Sequence, residues 1–305
     1  MLKLAVLGSG SSGNSALVCH EDTRILVDAG LSARQLCSRL QEVGVDPDSL
    51  TAIVLTHEHG DHTRGIDVFC RQRRIPIYAT IHTCAIVREG IKAGVTWRQF
   101  DAGNSFQING VKIDSFSVPH DAIDPVGFRF QCSHSSLGIL SDVGHVTRMI
   151  VDRLKGVDTL FTESNYDDVL LQNDTKRPWA TKQRISNRHG HLSNEQTAEL
   201  ISEIAGPSLT RVVLGHLSSD CNTPELAARV IATRLRERGH TGVTVECAGR
   251  DAPLPLVPVV HEAIYKARFS EEIPAKSARV CEPGGAAANS PAPLAPEWNQ
   301  TEWAF

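Results

Sequence analysis

The segment Ile53-Val-Leu-Thr-His57-Glu58-His59-Gly60-Asp61-His62 puts four metal-capable side chains directly after an apolar β-branched run. Imidazole and carboxylate are the donors that a divalent cation such as zinc or manganese accepts. Side chains alternate along an extended segment, so His57 and His59 point the same way, toward one ion. Asp61 and His62, on the turn after Gly60, then reach a second. A lone histidine at a strand end is an ordinary surface or core residue, but chemistry-free loops rarely gather four such donors.

The elements that position this cluster follow from apolar patterning. Leu2–Leu7, Ser15–Cys19 and Arg24–Val27 read as consecutive antiparallel strands. Residues 8–13, Gly-Ser-Gly-Ser-Ser-Gly, match G-x-G-x-x-G, yet too few residues follow before the next strand for a crossover helix. The dinucleotide reading therefore fails and a glycine-rich turn remains. Leu31–Val43 has helical spacing, with Ser32 as cap and Gly44 as stop. A helix over His62–Arg73 is expected after the ligand cluster, then a strand at Pro76–Ala79 and a helix at Ile81–Glu89, where His82 and Cys84 read as packing residues.

Strands are further expected at Phe106–Ile108 and Val111–Val118, the latter running into Pro119-His120-Asp121. Gly127–Cys132 and Leu137–Leu140 form a hairpin around His134, and its second strand ends in Ser141-Asp142-Val143-Gly144-His145. Val157–Phe161 leads to Glu163-Ser164-Asn165, and Arg211–Leu214 delivers Gly215-His216. Ser193 and Gln196 make a capping box, Thr223-Pro224 opens a long helix closed by Gly239, and a late strand lies around Val243–Glu246. Between them, Lys176–His191 carries Lys176, Arg177, Lys182, Arg184 and Arg188 without one acidic residue, either as a solvated helix face or as a phosphate channel.

Composition limits the alternatives. A net charge of −4 over 305 residues excludes a whole-chain cationic field, so attraction to nucleic acid must be local and no membrane surface is expected as a partner. The eight cysteines are scattered singly, which argues against a disulfide framework or a cysteine-type zinc site. The N-terminal apolar run is too short for a signal peptide, and a reducing, cytoplasmic setting is expected. Beyond about Ala267 the composition turns to Pro, Ala, Gly, Ser and Glu, so a folded domain over 1–266 and a disordered tail over 267–305 are expected. The terminal Gln300–Phe305 segment, with Trp303 and Phe305, is weakly similar to peptides that dock on replication sliding clamps.

The Thr-His-Glu-His-Gly-Asp-His run resembles the H-x-H-x-D-H signature of the metallo-β-lactamase superfamily. Over about residues 1–260 the chain is most similar to the YycJ-like (WalJ-like) branch. The Gly-Ser-Ser-Gly-Asn turn, Pro-His-Asp, Ser-Asp-Val-Gly-His, Glu-Ser-Asn, Gly-His-Leu-Ser-Asn and His-Leu-Ser-Ser-Asp-Cys-Asn carry that similarity. The resemblance implies an α/β fold, an αββα sandwich of two mixed β-sheets flanked by helices. It implies His57, His59 and His120 around one divalent ion (zinc or manganese), Asp61, His62 and His216 around a second, and Asp142 as the bridge. Two such ions lower the pKa of a water between them and clamp the attacked and leaving oxygens of an in-line displacement; Asp61 aims the attacking hydroxide.

Glu163 and His191 resemble the leaving-group motifs of RNase Z enzymes, which implies that His191 protonates the departing oxygen while Glu163 holds its ring. Asn165, Arg184, Arg188 and Asn222 are the expected substrate contacts, and His145 at most supports a ligand. The family implies a 5′→3′ DNA exonuclease linked to repair. A small-molecule cyclic phosphodiesterase of the PhnP type and an RNase Z-like RNA-processing nuclease use the same ligands, and a non-catalytic binding module is the third class.

Overall fold

The computed structural model describes residues 1–260, and the expected boundary at 266, the tail 267–305 and its Gln300–Phe305 segment lie outside them. Alternation along the first strand, β1 (Lys3–Gly8), sets the layering. Leu4 and Val6 enter one core, while Ala5 and Leu7 enter another. A strand buried on both faces reads as a continuous apolar run, and that pattern requires a second sheet on one side and helices on the other.

One sheet supplies β1, β2 (Ser15–His20), β3 (Thr23–Val27), β4 (Ala52–Val54), β5 (Ile77–Thr80) and β6 (Trp97–Phe100), with β14 (Val257–Pro258) beside β1. The first three strands are antiparallel as expected, and β3 to β6 are parallel. In the other sheet, β7 (Ser105–Ile108), β8 (Val111–Ser117), β9 (Val126–Cys132) and β10 (Ser135–Leu140) are antiparallel. β10, β11 (Thr159–Glu163), β12 (Arg211–Gly215) and β13 (Thr244–Cys247) are then parallel.

Between the sheets lie Leu4, Val27, Val54, Phe128, Ile139 and Val213. The helices α1 (Ala33–Glu42), α2 (Gly60–Thr63), α3 (Ile66–Cys70) and α4 (Ile81–Glu89) belong to the first half of the chain. Of these, α1, α3 and α4 contribute Leu36, Leu40, Phe69 and Cys84 to a second core with Leu7, Leu17 and Ile53. On the far side of the other sheet, α5 (Arg148–Leu154), α8 (Asn194–Ile204) and α9 (Pro224–Glu237) bury Leu154, Ile201 and Ile231 against Leu160 and Val212. This is the αββα sandwich. Two shorter helices, α6 (Asp168–Asn173) and α7 (Trp179–Ser186), occupy the connection after β11.

The caps are as the sequence sets them. Ser32 with Gln35 and Ser193 with Gln196 form capping boxes, and Thr223 caps α9 with Pro224 in its first turn. One expected helix is corrected: 62–73 is not continuous but splits into α2 and α3. In an unbroken helix the Asp61 carbonyl would accept from the amide of residue 65. Here that carbonyl accepts from Asn14 N at 2.8 Å, and Gly65 N donates to the Ala29 carbonyl at 2.8 Å. The ladder is spent on fixing the ligand turn against two neighbouring loops. Strands β6 and β14 and helices α5 and α6 lack a strong enough pattern to be expected from the sequence.

Seven cysteines among the described residues are unpaired, and among those residues no helix is long and apolar enough to cross a membrane.

Candidate metal centre

Strand ends from both sheets deliver the cluster. His57 follows β4, His120 follows β8, Asp142 follows β10, Glu163 ends β11 and His216 follows β12. The parallel register of β10, β11 and β12 places their C-terminal ends together, with Leu140 opposite Thr162 and Glu163 opposite Gly215. Asp28, Asp142 and His216 each adopt a left-handed backbone, φ 61°, 56° and 50°. Such strain at non-glycine residues is sustained by surrounding contacts and is common where a side chain must be aimed.

His57, His59 and His120 bring one donor atom each within 4.8 Å of one another, and so do His57, His62 and Asp142. A third set, Asp142, Glu163, His191 and His216, satisfies the same limit. Asp61 Oδ2 lies 3.7 Å from His62 Nε2 and 3.9 Å from His216 Nε2. Asp142 sits between the histidines, with Oδ2 2.9 Å from His62 Nε2 and Oδ1 2.6 Å from His216 Nδ1. All seven residues expected as ligands therefore converge.

The donor set fits a cation. His57 Nε2 is buried without a hydrogen-bond partner, while its Nδ1 lies 3.0 Å from Thr56 Oγ1. Thr56 donates that hydroxyl proton to Asp28 Oδ2 at 2.8 Å, so Oγ1 accepts from Nδ1 and leaves an unused lone pair on Nε2. Burial, reinforced by the neighbouring His62, holds the His57 pKa well below its usual value, and burial also lowers that of His120. Neutral imidazoles are ligand-ready. Burial opposes protonation of His62 too, but Asp28 and Asp142 overcome it and hold its pKa well above the usual value. Burial acts the other way on Asp142, where His216 and His62 prevail and keep the carboxylate ionised.

Several supports lie outside the expected set. Asp28 Oδ2 holds His62 Nδ1 at 2.8 Å, and the Gly190 carbonyl accepts from His120 Nδ1 at 3.1 Å; both orient a ring through its second nitrogen. Asn14 Nδ2 lies 3.2 Å from Asp61 Oδ2 and 3.0 Å from His62 Nε2. Ser9 Oγ accepts from His216 N at 2.8 Å and donates to Asn14 Oδ1 at 3.3 Å. The glycine-rich turn is thus a strut joining Asp61, His62 and His216 from distant parts of the chain. A lone Asn or Ser in a turn carries no sequence signal for such a role beyond its place in the Gly-Ser-Ser-Gly-Asn resemblance.

His191 Nδ1 donates to Glu163 Oε2 at 2.9 Å, and Glu163 Oε1 accepts from Val143 N at 2.5 Å and Leu192 N at 3.4 Å. Burial alone would lower the His191 pKa, yet Glu163, with Asp142 and Asp121 behind it, pushes it up to about 9. Gly190 is required beside it, because a Cβ there would overlap the Arg184 and Ile185 carbonyls.

The expected substrate contacts divide. Arg184 is exposed at the rim, with Nε 2.8 Å from Asp121 Oδ2, and Arg188 Nη2 is 3.2 Å from His145 Nε2. Asn165 and Asn222 are buried and otherwise engaged: Asn165 Nδ2 donates to the His216 carbonyl at 2.8 Å, and Asn222 Nδ2 to the Ser164 carbonyl at 2.8 Å. These two amides brace the loops behind the ligands. Within the basic run, Lys176 and Arg177 pair with Asp220, and Lys182 Nζ donates to the Gln172 carbonyl.

The beta-lactamase superfamily domain profile matches residues 23–217. Exodeoxyribonuclease WalJ of Streptococcus pneumoniae is 35% identical over 248 residues, covering 80% of this chain and 91% of that protein. Exodeoxyribonuclease YycJ of Bacillus anthracis is 31% identical over 257 residues, covering 83% and 97%. The fold also matches the metallo-beta-lactamase fold protein YhfI of Bacillus subtilis, with a TM-score of 0.61 at 18% identity over 83% of this chain and 98% of that one. With a cluster of histidines and aspartates able to hold metal gathered at the strand ends, the chain belongs to the metallo-β-lactamase superfamily, in the group of WalJ and YycJ, and is a metal-dependent hydrolase.

Proposed function

We propose that the protein is a dinuclear metal-dependent phosphodiesterase that degrades DNA from a 5′ end, as an exonuclease in DNA repair. The observation that carries this reading is the Glu163–His191 pair standing beside Asp142 and His216, next to the three-histidine group. A hydrolase that expels a poor alkoxide leaving group needs a proton donor there, whereas one that expels a good leaving group does not. The named activity of the two relatives, exodeoxyribonuclease, supports DNA as the substrate.

His57, His59 and His120 would hold one divalent ion, Asp61, His62 and His216 the other, with Asp142 shared between them. When bound, such a pair supplies Lewis-acid polarisation of the phosphoryl group and acidifies water. The chain's own residues do the rest. Asp61, steadied by Asn14, accepts a hydrogen bond from the attacking water and orients it. Glu163 accepts from His191 Nδ1 and, in the metal-free protein, raises the pKa of the ring, which leaves Nε2 as the nitrogen that donates a proton. That proton passes to the departing sugar oxygen. Glu163 has both oxygens occupied, by His191 and by two backbone amides, which favours an orienting role over a ligand role. Arg184 and Arg188, at the rim, are placed to meet phosphates by exchanging their present partners.

A panel of end-labelled single-stranded DNA, duplex DNA, RNA and cyclic phosphates, with manganese or zinc, tests the assignment. The reading expects stepwise shortening of DNA from the 5′ end and a steep fall in rate with added salt, as several phosphates are neutralised. Turnover confined to RNA or to cyclic phosphates overturns it.

A further inference from the structure

Helix α7 runs into the loop that carries His191. Its C-terminal turn is fixed to the catalytic side by His191 N donating to the Ile185 carbonyl at 2.8 Å and by Arg184 pairing with Asp121, next to His120. At the other end of the same helix stands Trp179, 66% exposed and the most exposed large apolar side chain among the described residues. Val169 and Leu170, on α6 earlier in the same connection, are exposed as well.

Trp179 borders a shallow cavity of about 130 Å³ shared with Tyr166, Leu171, Lys182 and Gln183. The floor is fixed: Tyr166, Leu171 and Cys221 form a small core into which Ile185 packs. Tyr166 lies three residues beyond Glu163, so both walls of the cavity are continuous with the pair that serves the leaving group. Lys182 Nζ donates to the Gln172 carbonyl at 2.7 Å, with the Asp174 carboxylate near enough for the two charges to act on each other and Asp168 on the wall of the same cavity.

An exposed indole beside a cation, on a rigid base continuous with a phosphodiesterase site, has the features of a nucleobase platform. Resting on the nuclease reading above, we propose that Trp179 stacks a base of a single-stranded segment on the His191 side of the scissile phosphate, with Lys182 meeting the adjoining phosphate. The platform makes the preferred substrate a strand with unpaired bases on that side and is indifferent to their sequence, because every base offers a π-face.

The metal-loaded full-length protein tests this with oligodeoxythymidylate, comparing wild type, Trp179→Ala and Trp179→Phe. Stacking losses of this kind raise KM about tenfold, and the proposal expects that rise in the alanine variant with recovery in the phenylalanine variant. It further expects the wild-type and alanine proteins to have matching KM on an oligonucleotide of abasic linkers, which keeps the phosphates and removes the bases. Equal KM for wild type and Trp179→Ala on oligodeoxythymidylate, or an undiminished difference on the abasic strand, overturns the platform. A wild-type protein that cleaves none of these strands but turns over cyclic phosphates overturns the nuclease reading itself, a distinct outcome.

Discussion

Asn14 Nδ2 stands 3.2 Å from Asp61 Oδ2, joining a turn before the second strand to a proposed ligand 47 positions later. The backbone repeats the connection, with Asn14 N on the Asp61 carbonyl at 2.8 Å. Supports of this kind orient metal ligands, and their loss typically costs about 10–100-fold in metal affinity. Asn14→Ala is therefore expected to raise the manganese concentration for half-maximal activity by about that factor. A metal titration of activity in both proteins checks this, and superimposable curves remove the strut from the account.

His191→Ala should act unequally on different leaving groups. An unactivated phosphodiester should lose about 10²–10⁴-fold in kcat, the range for a positioned general acid. An ester of p-nitrophenol, whose anion leaves without a proton, should lose far less. Equal losses on both would make His191 a structural residue rather than a proton donor.

In the metal-free protein the same residue ties stability to pH. The folded pKa of about 9 lies above the ordinary histidine value of 6.5, so the folded state binds the proton more tightly. The contribution is fully present below about pH 6.5 and is lost as pH rises through about 9. Denaturant unfolding of wild type and His191→Ala should give a stability gap near pH 6 that narrows steadily toward pH 10. A gap that widens with pH contradicts the sign.

Gly30 tests how tightly the ligand turn is packed. A Cβ at this position would overlap the Asp61 carbonyl and crowd His62 N. These are backbone atoms and have little room to yield. Gly30→Ala should destabilise the fold by about 1–3 kcal/mol and weaken metal binding at the same time. Isothermal titration and thermal unfolding measure the two effects, and an unchanged metal affinity would show that Asp61 tolerates the shift.

Much of the architecture is legible in the chain because strands buried on both faces read as apolar runs that glycine, aspartate and histidine bring to a halt. His57 to His62 stand out by density alone. His120, Asp142 and His216 do not, since each is a single polar residue at a strand end; resemblance, not spacing, brought them together. Asp28 closes such a strand too, yet nothing in its neighbours says that it faces His62. The division of 62–73 into two helices depends on which carbonyls the Asn14 and Gly65 amides meet, a tertiary fact with no local signature. Asn165 and Asn222 sit in motifs that invite a substrate role, and only their hydrogen-bond partners show them turned to the backbone.

The most direct measurement strips the protein with a chelator, then adds manganese stepwise while recording bound metal and cleavage of a labelled DNA strand in the same samples, for wild type and Asp142→Asn. No cleavage is expected without metal; wild type should bind two equivalents, with cleavage rising as the second binds, and Asp142→Asn should fold but hold fewer ions and leave the strand intact. Cleavage that survives chelation, or wild-type turnover in Asp142→Asn, would contradict the two-metal reading.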